Sequence, residues 1–293
     1  MVVSRNYIRI FSIYKGDKVP RGWKNKFSKQ KLLFHSYHMV TPSPWPFLIS
    51  LTALSLAVSG VLYMHSFYYS LFTLFLSFLN FLFIITLWWR DVIRESTFEG
   101  THTQKVQHGL KLGFILFLLS EVMFFFAFFW GFFHSSLAPS IEIGCVWPPY
   151  GIVTFNPLQV PFLNTCILLL SGATITFTHH SLISGEVEFA VLGFIETLFC
   201  ALLFTLFQLD EYLTAPFSIS DGIYGSVFYM ITGLHGSHVI IGTLFIFVTF
   251  LRFLQRHFTK EHHLGFEFAA WYWHFVDVVW LYVYIIVYCW GSL

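Results

Sequence analysis

LGFILFLLSEVMFFFAFFWGFF, Leu112 to Phe133, runs 22 residues with no proline and a single charge, Glu121, near its middle. As a helix rising about 1.5 Å per residue it covers about 33 Å, enough to cross the ~30 Å of bilayer hydrocarbon. An ionised carboxylate at that depth costs about 2.5–3.5 kcal/mol on insertion scales. The cheapest form of Glu121 is therefore a neutral acid that donates a hydrogen bond. Facing a bundle interior or finding a partner lowers the cost further. Two readings stand: a proton-active or ligand-contacting group, and a buried hydrogen bond between helices.

The rest of the chain shares this character. Of 293 residues, 56% are hydrophobic, 21% aromatic and only 11% charged, against about 25% charged in soluble domains. The mean hydropathy is +0.69. This predicts an all-α, polytopic membrane protein. Cys145, Cys166, Cys200 and Cys289 are far apart with no C-x-x-C pair, so neither a disulfide framework nor a thiolate metal site is indicated. Nothing points to a nucleic-acid partner.

Working outward, seven spans are expected at about 46–65, 71–95, 106–135, 160–183, 188–210, 223–254 and 265–290. Spans three and six are longer than a bilayer needs and must tilt or protrude. Residues 1–40 are a separate basic arm with nine Lys/Arg against one acid, Asp17. They are read as an arm lying on anionic headgroups or on a neighbouring subunit; residues 41–293 form the transmembrane domain. All 16 Lys/Arg fall on the face shared by the N-terminus and loops 2–3, 4–5 and 6–7, or at span ends beside it. By the positive-inside rule the N-terminus is on the matrix or cytoplasmic side and the C-terminus opposite.

Polar residues inside the spans carry the remaining information. WWRDVIREST, Trp88 to Thr97, places Arg90 and Arg94 one turn apart, with His102 and Lys105 just after. Arginine suits bidentate phosphate contact, so a phospholipid headgroup site competes with ordinary snorkelling. His235 and His238 lie at i, i+3, as do His274 and Asp277. Imidazoles could ligate haem or metal, but the Glu-x-x-His pattern of di-iron bundles fails at both Glu121 and Glu196. The plainer reading makes Glu121, Glu196, His235, His238, His274 and Asp277 hydrogen-bonded glue between helices.

Several longer stretches resemble a known family. They include HMVTPSPWP (His38 to Pro46), WWRDVIREST, SEVMFF (Ser120 to Phe125), CVWPP (Cys145 to Pro149), NPLQVPFLNT (Asn156 to Thr165), GLHGSHVIIGT (Gly233 to Thr243) and GFEFAAWYWHFVDVVWLYVY (Gly265 to Tyr284). In order and through every span, from about residue 38 onward, the chain resembles the subunit III family of mitochondrial haem–copper cytochrome c oxidases. The resemblance implies two helices set apart from five by a lipid-filled cleft. It implies a non-catalytic core subunit of respiratory complex IV in the mitochondrial inner membrane, N-terminus in the matrix and C-terminus in the intermembrane space. No cofactor or metal is implied in this chain itself. Haem a and copper would sit in partner subunits I and II, where oxygen is reduced with electrons from cytochrome c and protons are pumped. This chain would stabilise subunit I, bind structural phospholipid and support proton uptake.

By motif, the family's carbodiimide-reactive carboxylate corresponds to Glu121. Its lipid contacts correspond to Trp89, Arg94, Glu95, His102, Phe117 and Arg252. Its proposed proton-antenna histidines correspond to His38 and His35. The chain departs from the pattern in its long basic extension, 1–37, which suggests an accessory-subunit contact. It departs again at Thr101-His102, where the family often has two histidines, and at Glu186 and Glu188. The rival classes are an ion or proton transporter using Glu121 and Glu196, and a membrane haem protein.

Overall fold

The computed structural model describes residues 35–292. The basic arm, apart from residues 35–40, lies outside the described residues, and with it the accessory-subunit contact read from 1–37. Seven helices are long and apolar enough to cross a membrane. They are α1 (Trp45–Met64), α2 (Ser70–Thr97), α3 (Gln104–Leu137), α4 (Val160–Ser184), α5 (Val187–Thr214), α6 (Gly222–Leu254) and α7 (Leu264–Tyr282). The last continues through a wider turn, Val283–Cys289, to Ser292. Among the described residues there is no strand. α3 and α6, at 34 and 33 residues, are the longest, as their hydropathy predicted.

The chain divides into two compact units, residues up to Val106 and residues from Gln107 onward. The first holds α1 and α2, and the second holds α3 beyond its first turn together with α4 to α7.

In the first unit, proline sets where α1 begins. Pro44 precedes the helix and Pro46 sits in its first turn, where a missing N–H costs nothing. A tight turn at 65–69, with Ser66 and Tyr69 at positive φ, reverses the chain into α2. Small hydroxyl residues line the hairpin: Thr52, Ser59 and Ser70 are buried, and Ser55 and Ser77 are 2.9 Å apart across it. In lipid no hydrophobic force draws helices together, so close approach and hydrogen bonds must hold them.

In the second unit, α4 is the central strut. Thr174 and Thr197 share a 2.8 Å hydrogen bond between α4 and α5. Gly193 lies so close to α4 that a β-carbon there would clash with the Thr178 hydroxyl. On another side of α4, the indoles of Trp273 and Trp280 donate to Ser171 Oγ and Thr165 Oγ1, each at 2.9 Å. These two bonds, seven residues apart on α7 and six apart on α4, fix the register of the pair. Gly185, at φ 85°, ends α4, and Lys260 Nζ donates to the exposed Ser184 carbonyl at 2.7 Å. The core is aromatic: Trp273, Trp280, Phe132, Phe194, Phe204 and Phe266 are almost fully buried.

Candidate functional site

Glu121 lies 17 residues from Gln104 on α3, and His238 lies 16 residues from Leu254 on α6. The two helices run antiparallel in the chain's up-and-down order, so both residues come to one depth. His238 Nε2 is 2.8 Å from Glu121 Oε2, and its Nδ1 is 2.9 Å from the Leu234 carbonyl. A carbonyl only accepts, so Nδ1 carries a hydrogen and donates. Nε2 is then either the acceptor of a Glu121 O–H or the donor of a second N–H to a carboxylate. In both forms the pair holds one proton between its heavy atoms and has no net charge. This is how a carboxyl is kept within a span without an uncompensated charge.

Aromatic rings enclose the pair. The imidazole stacks on Tyr272 at 6.1 Å and 11°, and meets Phe125 edge-on at 5.0 Å. His238 is buried and Glu121 is half-buried. Phe117, one turn before Glu121, lies parallel to Tyr272 at 6.4 Å and is 44% exposed. Towards one end of the same unit, Lys111 Nζ reaches Glu267 Oε2 at 2.7 Å, and the imidazoles of His179 and His263 approach within 3.2 Å. Arg252 lays its guanidinium 4.6 Å from the centre of the Phe258 ring. It needs Gly265 beside it, where a β-carbon would sit 2.6 Å from Nη1.

The other intramembrane polar residues divide by surroundings. Buried His235 places Nε2 3.1 Å from the Val276 carbonyl. His274 Nε2 is 3.3 Å from Thr176 Oγ1, and its Nδ1 is 3.8 Å from the buried Asp277. Glu196 is exposed on α5; the expectation that it binds helices together meets no partner among the described residues. No group of three or more His, Cys, Asp or Glu side chains among the described residues is arranged to hold a metal ion.

A second polar cluster belongs to the first unit. Asp91 on α2 accepts from the Trp45 indole at 2.8 Å, which ties the start of α1 to the end of α2. Arg90 pairs with the same carboxylate at 2.9 Å. That leaves Arg94, 3.7 Å from Asp91, with its side chain 60% exposed. Trp89 is 63% exposed beside it. His38 Nε2 lies 3.3 Å from Glu95 Oε2, and its ring is 5.7 Å from that of His102. His35 is exposed, and its Nδ1 accepts from the nearby Tyr37 amide at 3.3 Å. The unit therefore gathers Trp89, Arg94, Glu95, His102 and His38 at one end of α2.

Sequence reasoning missed the pairing of Glu121 with His238, the Trp45 bond to Asp91, the Lys111–Glu267 and His38–Glu95 pairs, the approach of His179 to His263, and a buried cluster in which Tyr288 and Gln208 both donate to Glu211. The first left a signal, the nearly equal count of residues, 17 and 16, from one end of each helix.

Comparison with known proteins covers the same stretch. The family described as cytochrome c oxidase subunit III matches residues 35–292. The cytochrome c oxidase subunit 3 of Chondrus crispus is 58% identical over 258 residues, 88% of this chain and 95% of the relative. That of Arabidopsis thaliana is 58% identical over 259 residues, covering 88% and 98%. That of Prototheca wickerhamii is 56% identical over 258 residues, again 88% and 98%.

Proposed function

Because the chain belongs to the cytochrome c oxidase subunit III family, we propose that it works as a non-catalytic core subunit of the terminal oxidase. It would pack on the haem- and copper-bearing subunits I and II in the mitochondrial inner membrane, N-terminus in the matrix and C-terminus in the intermembrane space. The observation that carries this reading is the unbroken match through all seven spans. Purification through this chain in mild detergent tests it. Equal amounts of the haem–copper subunit and the cytochrome c-docking subunit should be recovered, with oxidase activity. Recovery of the chain alone, or of the chain with its own haem spectrum, would sink it.

Within that role, the end of α2 is proposed as a phospholipid headgroup site. Arg94 is the reading's centre: Asp91 is already occupied by Trp45 and Arg90, so the more exposed Arg94 is left to meet a phosphate. Arginine offers a phosphate two parallel N–H donors. Glu95, bonded to His38, and His102 would bracket a zwitterionic or hydroxyl-bearing headgroup, with Trp89 at the interface. Phe117 and Arg252 are proposed as further lipid contacts on the second unit. Replacing Arg94 with Ala is expected to lower tightly bound phosphorus in the purified oxidase. It should also shorten the time for which turnover is sustained, while the initial rate stays within about two-fold. An immediate, complete loss of rate in a fully assembled complex would contradict a lipid-holding role. His38 is proposed to help gather protons at this end, and Glu121 to be the carboxyl that a hydrophobic carbodiimide attacks.

A further inference from the structure

We propose that Glu196 on α5 is the docking point for a transmembrane helix of another chain, one that presents a basic side chain at the same depth. The first ground is depth. α5 spans 28 residues, Val187–Thr214, and Glu196 is about 7 Å from its midpoint at about 1.5 Å per residue. That places it about 8 Å below the nearer edge of a ~30 Å hydrocarbon layer, beyond ordinary reach of a headgroup.

The second ground is direction. Glu196 is exposed in the middle of an outward stripe formed by Phe189, Leu192, Phe199 and Leu206. The opposite face is locked: Thr197 bonds Thr174 at 2.8 Å, and Gly193 lies against Thr178. Rotating α5 to turn Glu196 inward would break both contacts, and among the described residues it stays exposed. Other carboxyls within the spans are treated differently. Glu121 bonds His238, Glu211 bonds Tyr288 and Gln208, and Asp277 lies beside His274. Among the described residues Glu196 has no hydrogen bond or ion pair.

The third ground is cost. A carboxylate left facing lipid carries a penalty of about 2.5–3.5 kcal/mol, and a lone basic residue on a second helix carries a similar one. Bringing the two together offsets those penalties through a charge-assisted hydrogen bond. The stripe has the 3- and 4-residue spacing along which a second helix can lie. It is free of proline.

The oxidase purified through this chain, with its full set of subunits, provides the test. In Glu196→Leu and Glu196→Lys variants, quantitative mass spectrometry should show one membrane subunit depleted roughly ten-fold or more. The others should stay within about two-fold. Changing the basic residue of the depleted subunit to Glu should restore it in the Lys background. Retention of every subunit in both variants would overturn the proposal and leave Glu196 as a protonated acid facing lipid. If the variants fail to accumulate, a photo-crosslinking phenylalanine analogue at Phe199 in the otherwise native chain decides. Capture of a transmembrane segment bearing Lys, Arg or His supports the proposal. Capture of lipid alone, or of a segment without one, overturns it.

Discussion

In the assembled complex, His238→Ala is expected to destabilise the five-helix unit by about 3–5 kcal/mol, combining loss of the Glu121 hydrogen bond with the cavity left by the ring. The two contributions can be separated. His238→Phe keeps a ring against Tyr272, Phe125 and Phe275 and loses the imidazole's hydrogen bonds to Glu121 and to the Leu234 carbonyl. Its cost should fall to about 1–3 kcal/mol. Glu121→Gln should cost less still, because an amide N–H donates to Nε2 as the carboxylic acid would. Glu121→Leu combined with His238→Phe should recover much of the stability, because no unpaired polar group remains. The check is the midpoint of thermal release of this chain from the oxidase for the two single variants and the double. Strict additivity would show that the 2.8 Å contact contributes nothing. A hydrophobic carbodiimide, which needs the carboxylic acid form, should label Glu121 in the native complex and fail in Glu121→Gln.

How far the sequence could be read depended on what kind of information each feature needs. The spans were legible because each is a long apolar run, and proline or glycine marks several ends, as at Pro44, Pro46 and Gly185. Hydropathy ended the fifth span near 210, four residues short of Thr214. Glu211, just past that limit, is 2% exposed and bonded to Tyr288. Depth was also legible, since Glu121 and His238 are nearly equidistant from one face. Facing was not. A soluble helix shows its inner side by one apolar stripe, but these helices are apolar all round and carry no such mark. Glu121 and Glu196 therefore look alike in sequence, a single acid inside an apolar run. In the folded chain one turns inward to a histidine and the other outward.

The cluster around Tyr288 gives the second large expected effect. Tyr288 is 2% exposed and lies in the widened last turns of the seventh span. Its hydroxyl donates to Glu211 Oε1 at 2.5 Å, and the Gln208 amide donates to the same oxygen at 3.1 Å. Its ring packs edge-on against Phe228 at 5.4 Å and lies 5.9 Å from Trp280. Tyr288→Ala removes a buried ring and a donor to a buried carboxyl, for an expected cost of about 3–5 kcal/mol. Tyr288→Phe keeps the ring and withdraws only the donor, leaving Glu211 with Gln208; its cost should be about 1–3 kcal/mol. Glu211→Gln keeps an acceptor for the tyrosine and should be the mildest of the three. Release of this chain from the oxidase on heating should follow that order. If Phe proves as damaging as Ala, the hydroxyl bond rather than the ring holds the end of α7 to α5. If neither matters, the wide turn is anchored by the Phe132 and Trp290 ring contacts instead.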